Sequence, residues 1–239
     1  MRIFKKILLI LGIIIFVLSL GFNVVLSMSS TNNLIFKDSL ESRFKLYSTS
    51  TYKLKQSNEF YIVSENKYGA TQKAIDKVSC YKEDGSVSAT YICSQISSLY
   101  EADGTLVRTS YFPGDGYKYT VEGDVKTKSA YSNASLEAYF KSLVNGAYSS
   151  LSYIIFEYNN EAAKEYMSYS TDFKFNDFSI QKIVNVQYKN EEINYEFKES
   201  CTFDNNDYLV KLNINESANL NISYEKQTLN FPSFEGFVG

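Results

Sequence analysis

Ile193-Asn194-Tyr195-Glu196-Phe197-Lys198 places an apolar or aromatic side chain at every second position. Tyr208, Val210, Leu212 and Ile214 repeat the pattern, and so do Leu220, Ile222 and Tyr224. A period of two belongs to extended chain with one face packed and the other wet, the habit of antiparallel strands. Turn-forming clusters separate the runs at Lys189-Asn190-Glu191, Asp204-Asn205-Asn206-Asp207 and Asn215-Glu216-Ser217. The last third of the chain therefore reads as a sheet.

Working towards the N-terminus, the period changes. Ser135 reads as the cap of a helix whose apolar positions are Leu136, Tyr139, Phe140, Leu143 and Val144, with Gly146 as its terminator. Leu151, Ile154, Ile155, Tyr158, Ala162, Tyr166 and Tyr169 keep helical spacing, with Asn159-Asn160 as a break, so one or two helices are expected across residues 135–169. Before them, Thr51-Tyr52-Lys53-Leu54-Lys55 and Phe60-Tyr61-Ile62-Val63 are β-branched or aromatic. The dipeptides Asp84-Gly85, Asp103-Gly104, Asp115-Gly116 and Gly123-Asp124 supply hairpin turns. Residues 51–130 thus predict an antiparallel meander. Leu34, Phe36, Leu40, Phe44 and Tyr47 predict an amphipathic helix near 33–47 that packs on the sheet. Strands flank helices with no Pro- or Gly-rich linker between them, so residues 34–239 are expected to form one β-rich α+β domain.

The N-terminal stretch is of another kind. Ile7 to Leu26 follows Arg2, Lys5 and Lys6 and contains nothing more polar than Ser19 and Asn23. A helix of that length matches the roughly 30 Å of bilayer hydrocarbon. Residues 1–26 are read as a signal-anchor or a cleaved signal peptide, with 27–33 as a polar spacer. The length of the apolar run favours the anchor; the best cleavage site, Val25-Leu26-Ser27, lacks the Ala-x-Ala form. No Cys follows the run to accept a lipid. The basic flank keeps the N-terminus cytoplasmic and sends the body across the membrane.

Composition narrows the function. The 239 residues include 24 basic and 27 acidic ones and no His. Taking Arg2, Lys5 and Lys6 from the 24 leaves 21 against 27, so the remainder carries −6, a sign that repels phosphate backbones and excludes nucleic acid as a partner. Without imidazole, Ser-His-Asp, Cys-His and His-metal mechanisms are closed, while paired carboxylates stay available. No catalytic, metal or cofactor site is read from the sequence. Ser-x-x-Lys recurs six times without its partner motifs, and Asp204-Asn205-Asn206-Asp207 has Leu209 where a calcium loop needs Gly.

The three cysteines are read as buried thiols. If Asp84-Gly85 were a two-residue hairpin loop, Cys80 would face Ala89, and Cys93 would lie roughly 13 Å further along at about 3.3 Å per residue. A longer loop would change that register and permit one bridge, which stays open as the alternative.

The order of helix, meander, central helices and alternating strands ends in Asn221-Ile222-Ser223-Tyr224-Glu225-Lys226-Gln227-Thr228-Leu229-Asn230-Phe231-Pro232. It resembles the LolA-like and LppX-like exported proteins over residues 33–239. That resemblance implies an incomplete antiparallel half-barrel curved around helices, enclosing an apolar cavity for lipid or acyl chains. It would bring Phe140, Leu143 and Val144 of the central helix against Ile193, Tyr195, Phe197, Leu212 and Ile222 as ligand-lining residues; the alternative is that the same residues fill a solid core. The function expected is a membrane-tethered, extracytoplasmic, non-catalytic binding protein for a lipid or other apolar ligand. The alternative is a surface module that binds another protein.

Overall fold

The computed structural model describes residues 40–239 apart from 87–88, 159–165, 177–178 and 193. Helix α1 (Leu40–Gln56) precedes six strands: β1 (Glu59–Tyr68), β2 (Gln72–Tyr81), β3 (Ile92–Glu101), β4 (Leu106–Phe112), β5 (Tyr117–Glu122) and β6 (Val125–Ala130). Helix α2 (Asn133–Tyr158) leads to β7 (Met167–Asn176), β8 (Ser179–Asn190), β9 (Tyr195–Phe203), β10 (Leu209–Ile214) and β11 (Ala218–Ser223). All pairings between strands are antiparallel, in one 11-stranded open sheet of order β6-β5-β4-β3-β2-β1-β11-β10-β9-β8-β7. Two meanders meet where β1 pairs with β11. The first runs outward to the β6 edge, α2 carries the chain over to the β7 edge, and the second runs back to the centre.

Register decides which face packs. Val184 opposes Cys201, Cys201 opposes Leu212 and Leu212 opposes Leu220, while Ile222 opposes Ile62 and Ile62 opposes Val78. These side chains share one face and one core with Leu46, Tyr47 and Leu54 of α1 and Leu136, Phe140, Ala147, Leu151 and Ile154 of α2. The α2 positions recur at intervals of three, four or seven residues, as a 3.6-residue helix with one buried stripe requires. Phe140 anchors it, its ring 5.4 Å from Phe60 and 4.8 Å from Tyr91. Burying such a ring contributes roughly 1.5–3 kcal/mol.

Several local expectations give way to this packing. Thr51–Lys55 is helix, because Leu46, Ser50 and Leu54 form a buried stripe that outweighs the β preference of Thr and Tyr. Phe44, expected to pack, is 39% exposed, and Tyr47 is the buried aromatic of α1. Gly146 does not end α2; the helix continues because Ala147, Leu151 and Ile154 extend its buried face. Ser132, not Ser135, caps it, its Oγ accepting from the Ser135 N–H at 3.1 Å. Tyr169 lies in β7, so the helical spacing does not reach it. In β10 a bulge between Leu209 and Lys211 shifts the alternation, putting Leu209 in the core and leaving Val210 half-buried. Gly123-Asp124 is the two-residue turn expected, with Gly123 at φ 57°. Asp84-Gly85 is not: β2 ends at Tyr81 and β3 begins at Ile92, so the longer loop sets Cys80 opposite Cys93. The two form a disulfide with a Cα–Cα distance of 4.2 Å, and only Cys201 is a buried free thiol. The targeting segment, the spacer, Leu34, Phe36, the Asn159-Asn160 break, Ala162 and Ile193 lie outside the described residues.

After β11 the chain crosses the face opposite the helices. Ser79 donates its hydroxyl hydrogen to the Gln227 carbonyl, and Lys226 Nζ lies 3.3 Å from the Tyr81 ring centroid. Phe234 stacks on Tyr119 at 3.8 Å and meets Tyr111 at 5.9 Å, Phe237 meets Tyr119 edge-on at 5.5 Å, and Phe231 lies 6.5 Å from Tyr111. The strap ends beside β6, where Val238 pairs in parallel with Thr127 and accepts from the Lys128 N–H at 2.7 Å.

Candidate functional site

Between α2 and the packed face of the second meander the core is incomplete. One cavity of about 230 Å³ lies among Ser64 and Asn66 of β1, Leu143, Gly146 and Ala147 of α2, and Leu212, Ile214, Ala218 and Leu220 of the facing strands. A second, of about 270 Å³, is lined by Gly146, Ser149, Ser150 and Tyr153 of α2 with Tyr188, Phe197 and Glu199. Gly146 borders both. Gly146 is exposed, and a Cβ placed on it would meet nothing within 4 Å, so a side chain there has open space at the mouth of both cavities. The two adjoin at that residue.

Its lining is apolar with a few polar marks. Ser64 is 2% exposed, and near it the Tyr139 hydroxyl donates to Asp76 at 2.7 Å. Glu199 is 3% exposed and accepts from Cys201 Sγ at 3.1 Å. Burial raises its carboxyl pKa, against the smaller opposing effect of hydrogen bonds from Cys201 and Ser150. Burial likewise raises the Cys201 thiol, aided by the charge of Glu199. A carboxyl whose folded pKa exceeds its unfolded one contributes stability below the unfolded pKa and loses it as pH rises through the folded one. Glu199→Gln is therefore expected to stabilise the protein at neutral pH by on the order of 1–3 kcal/mol, the gain fading as pH falls to the ordinary carboxylate range. Urea unfolding at pH 7 and pH 4 measures this; equal or lower stability at pH 7 would count against it.

The residues expected to line a ligand divide. Leu143 and Leu212 border the first cavity and Phe197 the second. Phe140 and Ile222 are buried in the solid core, and Val144 packs half-buried against that core. Tyr195 opens β9. Sequence reasoning missed Gly146, read as a helix end, and Glu199, whose parity with Phe197 and Cys201 was the signal that it points inward.

The opposite face carries a larger concavity, about 480 Å³, among Ser170, Asn185, Gln187, Lys198, Ser200 and Asn213. Most of these polar groups are bonded within that face: Asn185 donates to Ser170 and Asp172, Gln187 to Glu196 and Asn213 to Asn219, and Lys198 pairs with Glu196. Among the described residues no group of His, Cys, Asp and Glu is placed to hold a metal, and no helix is long and apolar enough to cross a membrane.

No family model and no curated protein matches the chain. Among solved structures it is similar to LprF from Mycobacterium bovis, at 9% identity over 82% of this chain and 98% of that one, with a TM-score of 0.45. It is also similar to the MucA/MucB complex of Pseudomonas aeruginosa, at 9% identity and a TM-score of 0.32, over 80% of this chain and 59% of that one.

Proposed function

We propose that this is a non-catalytic binding protein that holds an apolar or amphipathic ligand between α2 and the packed face of the sheet, curved around it as a half-barrel. The observation that carries the reading is the cleft at Gly146, bordered by Leu143, Ala147, Leu212, Ile214 and Leu220 on one side and Tyr188 and Phe197 on the other. Apolar surface left unfilled beneath a helix that buries the rest of its stripe is a ready acceptor for a hydrocarbon chain. Filling it should separate binding from folding. Gly146→Phe removes a mid-helix glycine, which gains about 0.5 kcal/mol of helix preference, and projects a ring into the opening. The expected result is at least a tenfold loss of uptake of an uncharged fluorescent acyl probe at undiminished stability. Unchanged uptake would overturn the reading.

In the same proposal residues 7–26 tether the protein to the cytoplasmic membrane, with the body outside. The Cys80–Cys93 bridge supports an oxidising compartment. Mass spectrometry of the mature chain is expected to find the original N-terminus; a chain beginning at Met28 would show that the segment is cleaved and the protein released.

A further inference from the structure

We infer that the cleft selects amphiphiles with a cationic head, the ammonium lying against Glu199 among Tyr153, Tyr188 and Phe197 and the tail passing Gly146 towards Leu212 and Leu220. This rests on the binding role proposed above and names the class of ligand. The two cavities differ in chemistry. The first sets Leu143, Ala147, Leu212, Ile214 and Leu220 beside a few uncharged polar groups, whereas the second brings two tyrosines, a phenylalanine and a carboxyl together.

Aromatic faces are electronegative and attract an ammonium while repelling an anion, and an adjoining carboxylate adds a full opposite charge. A carboxylate removed from water needs a cation or a full set of strong donors. Among the described residues Glu199 has neither: its partners are a thiol and the Ser150 hydroxyl, and no ion pair reaches it. The lysines nearest in register are engaged elsewhere, Lys198 with Glu196 on the opposite face and Lys189 with Glu191. The fold thus keeps a buried carboxyl at the aromatic end of the cleft, and the ligand's ammonium supplies the charge that pairs with it. The alternative ligand classes fit less well. A fatty acid or a phosphodiester would set an anion against Glu199, and a neutral alcohol would leave the carboxyl unmatched.

The test uses the full chain in nanodiscs, released for native mass spectrometry after exposure to dodecyltrimethylammonium, dodecyl sulfate or dodecanol below their micellar concentrations. Empty nanodiscs and Gly146→Phe correct for probe held by lipid. The expected result is at least a tenfold preference of the wild type for the ammonium over the sulfate, falling to near parity in Glu199→Gln. Phe197→Leu, which leaves the carboxyl in place, is expected to lower the preference by a smaller factor. Dodecanol uptake with no ammonium preference, or a preference that persists in Glu199→Gln, overturns the head-group assignment and leaves the cleft standing. Failure of the wild type to take up any of the three overturns both.

Discussion

Replacing Cys80 and Cys93 by alanine is expected to lower stability by about 3 kcal/mol, the entropy released to the unfolded chain when a loop of this length is opened. The bridge joins residues 13 apart in sequence and directly opposed on neighbouring strands. It closes β2 and β3 at the end where the long loop from Lys82 to Tyr91 would otherwise let them part. Both half-cystines are buried in the core, Cys80 fully, so some lost packing adds to the entropic effect. Urea unfolding of wild type with and without reductant, beside the double variant, measures the difference, and reduced wild type should match the variant. Thiol counting gives an independent check. Iodoacetamide should label no cysteine in the native protein, one in denaturant, namely Cys201, and all three once reductant is added. Three labels in denaturant alone, or equal stability with and without reductant, would show that the bridge is absent.

The bridge also shows where a sequence stops being legible. Parity along a strand is a local property, and Cys201 shares it with Phe203, both of them buried. Pairing between strands depends on loop length, and Asp84-Gly85 offered a tight turn that the chain does not use at the strand ends. Gly85 does take φ 64°, and Asp84 Oδ1 accepts from the Ser86 N–H at 2.9 Å, so the local turn signal was real while the register drawn from it was not. The cleft failed to emerge for a related reason. Gly146 has the same meaning to a local rule whether the helix stops or runs on, and only the partners of Ala147, Leu151 and Ile154, distant in sequence, decide between them. The antiparallel architecture was legible because it is written repeatedly, in every alternating run. The cavities depend on how α2 seats against strands far away in sequence, and no local period records that.

Deleting residues 231–239 is expected to cost about 3 kcal/mol and to make the protein self-associate. Phe231, Phe234 and Phe237 are each half-buried against Tyr111 and Tyr119, so each contributes about 1 kcal/mol of apolar burial and ring contact. Phe234→Ala alone should therefore lower stability by about 1 kcal/mol, with an unchanged denaturant slope because the same surface unfolds. The association has a separate cause. With the strap in place, Val238 pairs with Thr127 and accepts from the Lys128 N–H, so part of the β6 edge is covered by the protein's own backbone. Without it, β6 presents unpaired amides and carbonyls beside two uncovered tyrosines, the combination that invites strand pairing between molecules. Light scattering that rises with protein concentration for the deletion and not for Phe234→Ala would separate edge exposure from lost packing. If the deletion stays monodisperse and keeps wild-type stability, the strap has no structural role, and the lysines of β6, Lys126 and Lys128, suffice to guard the edge.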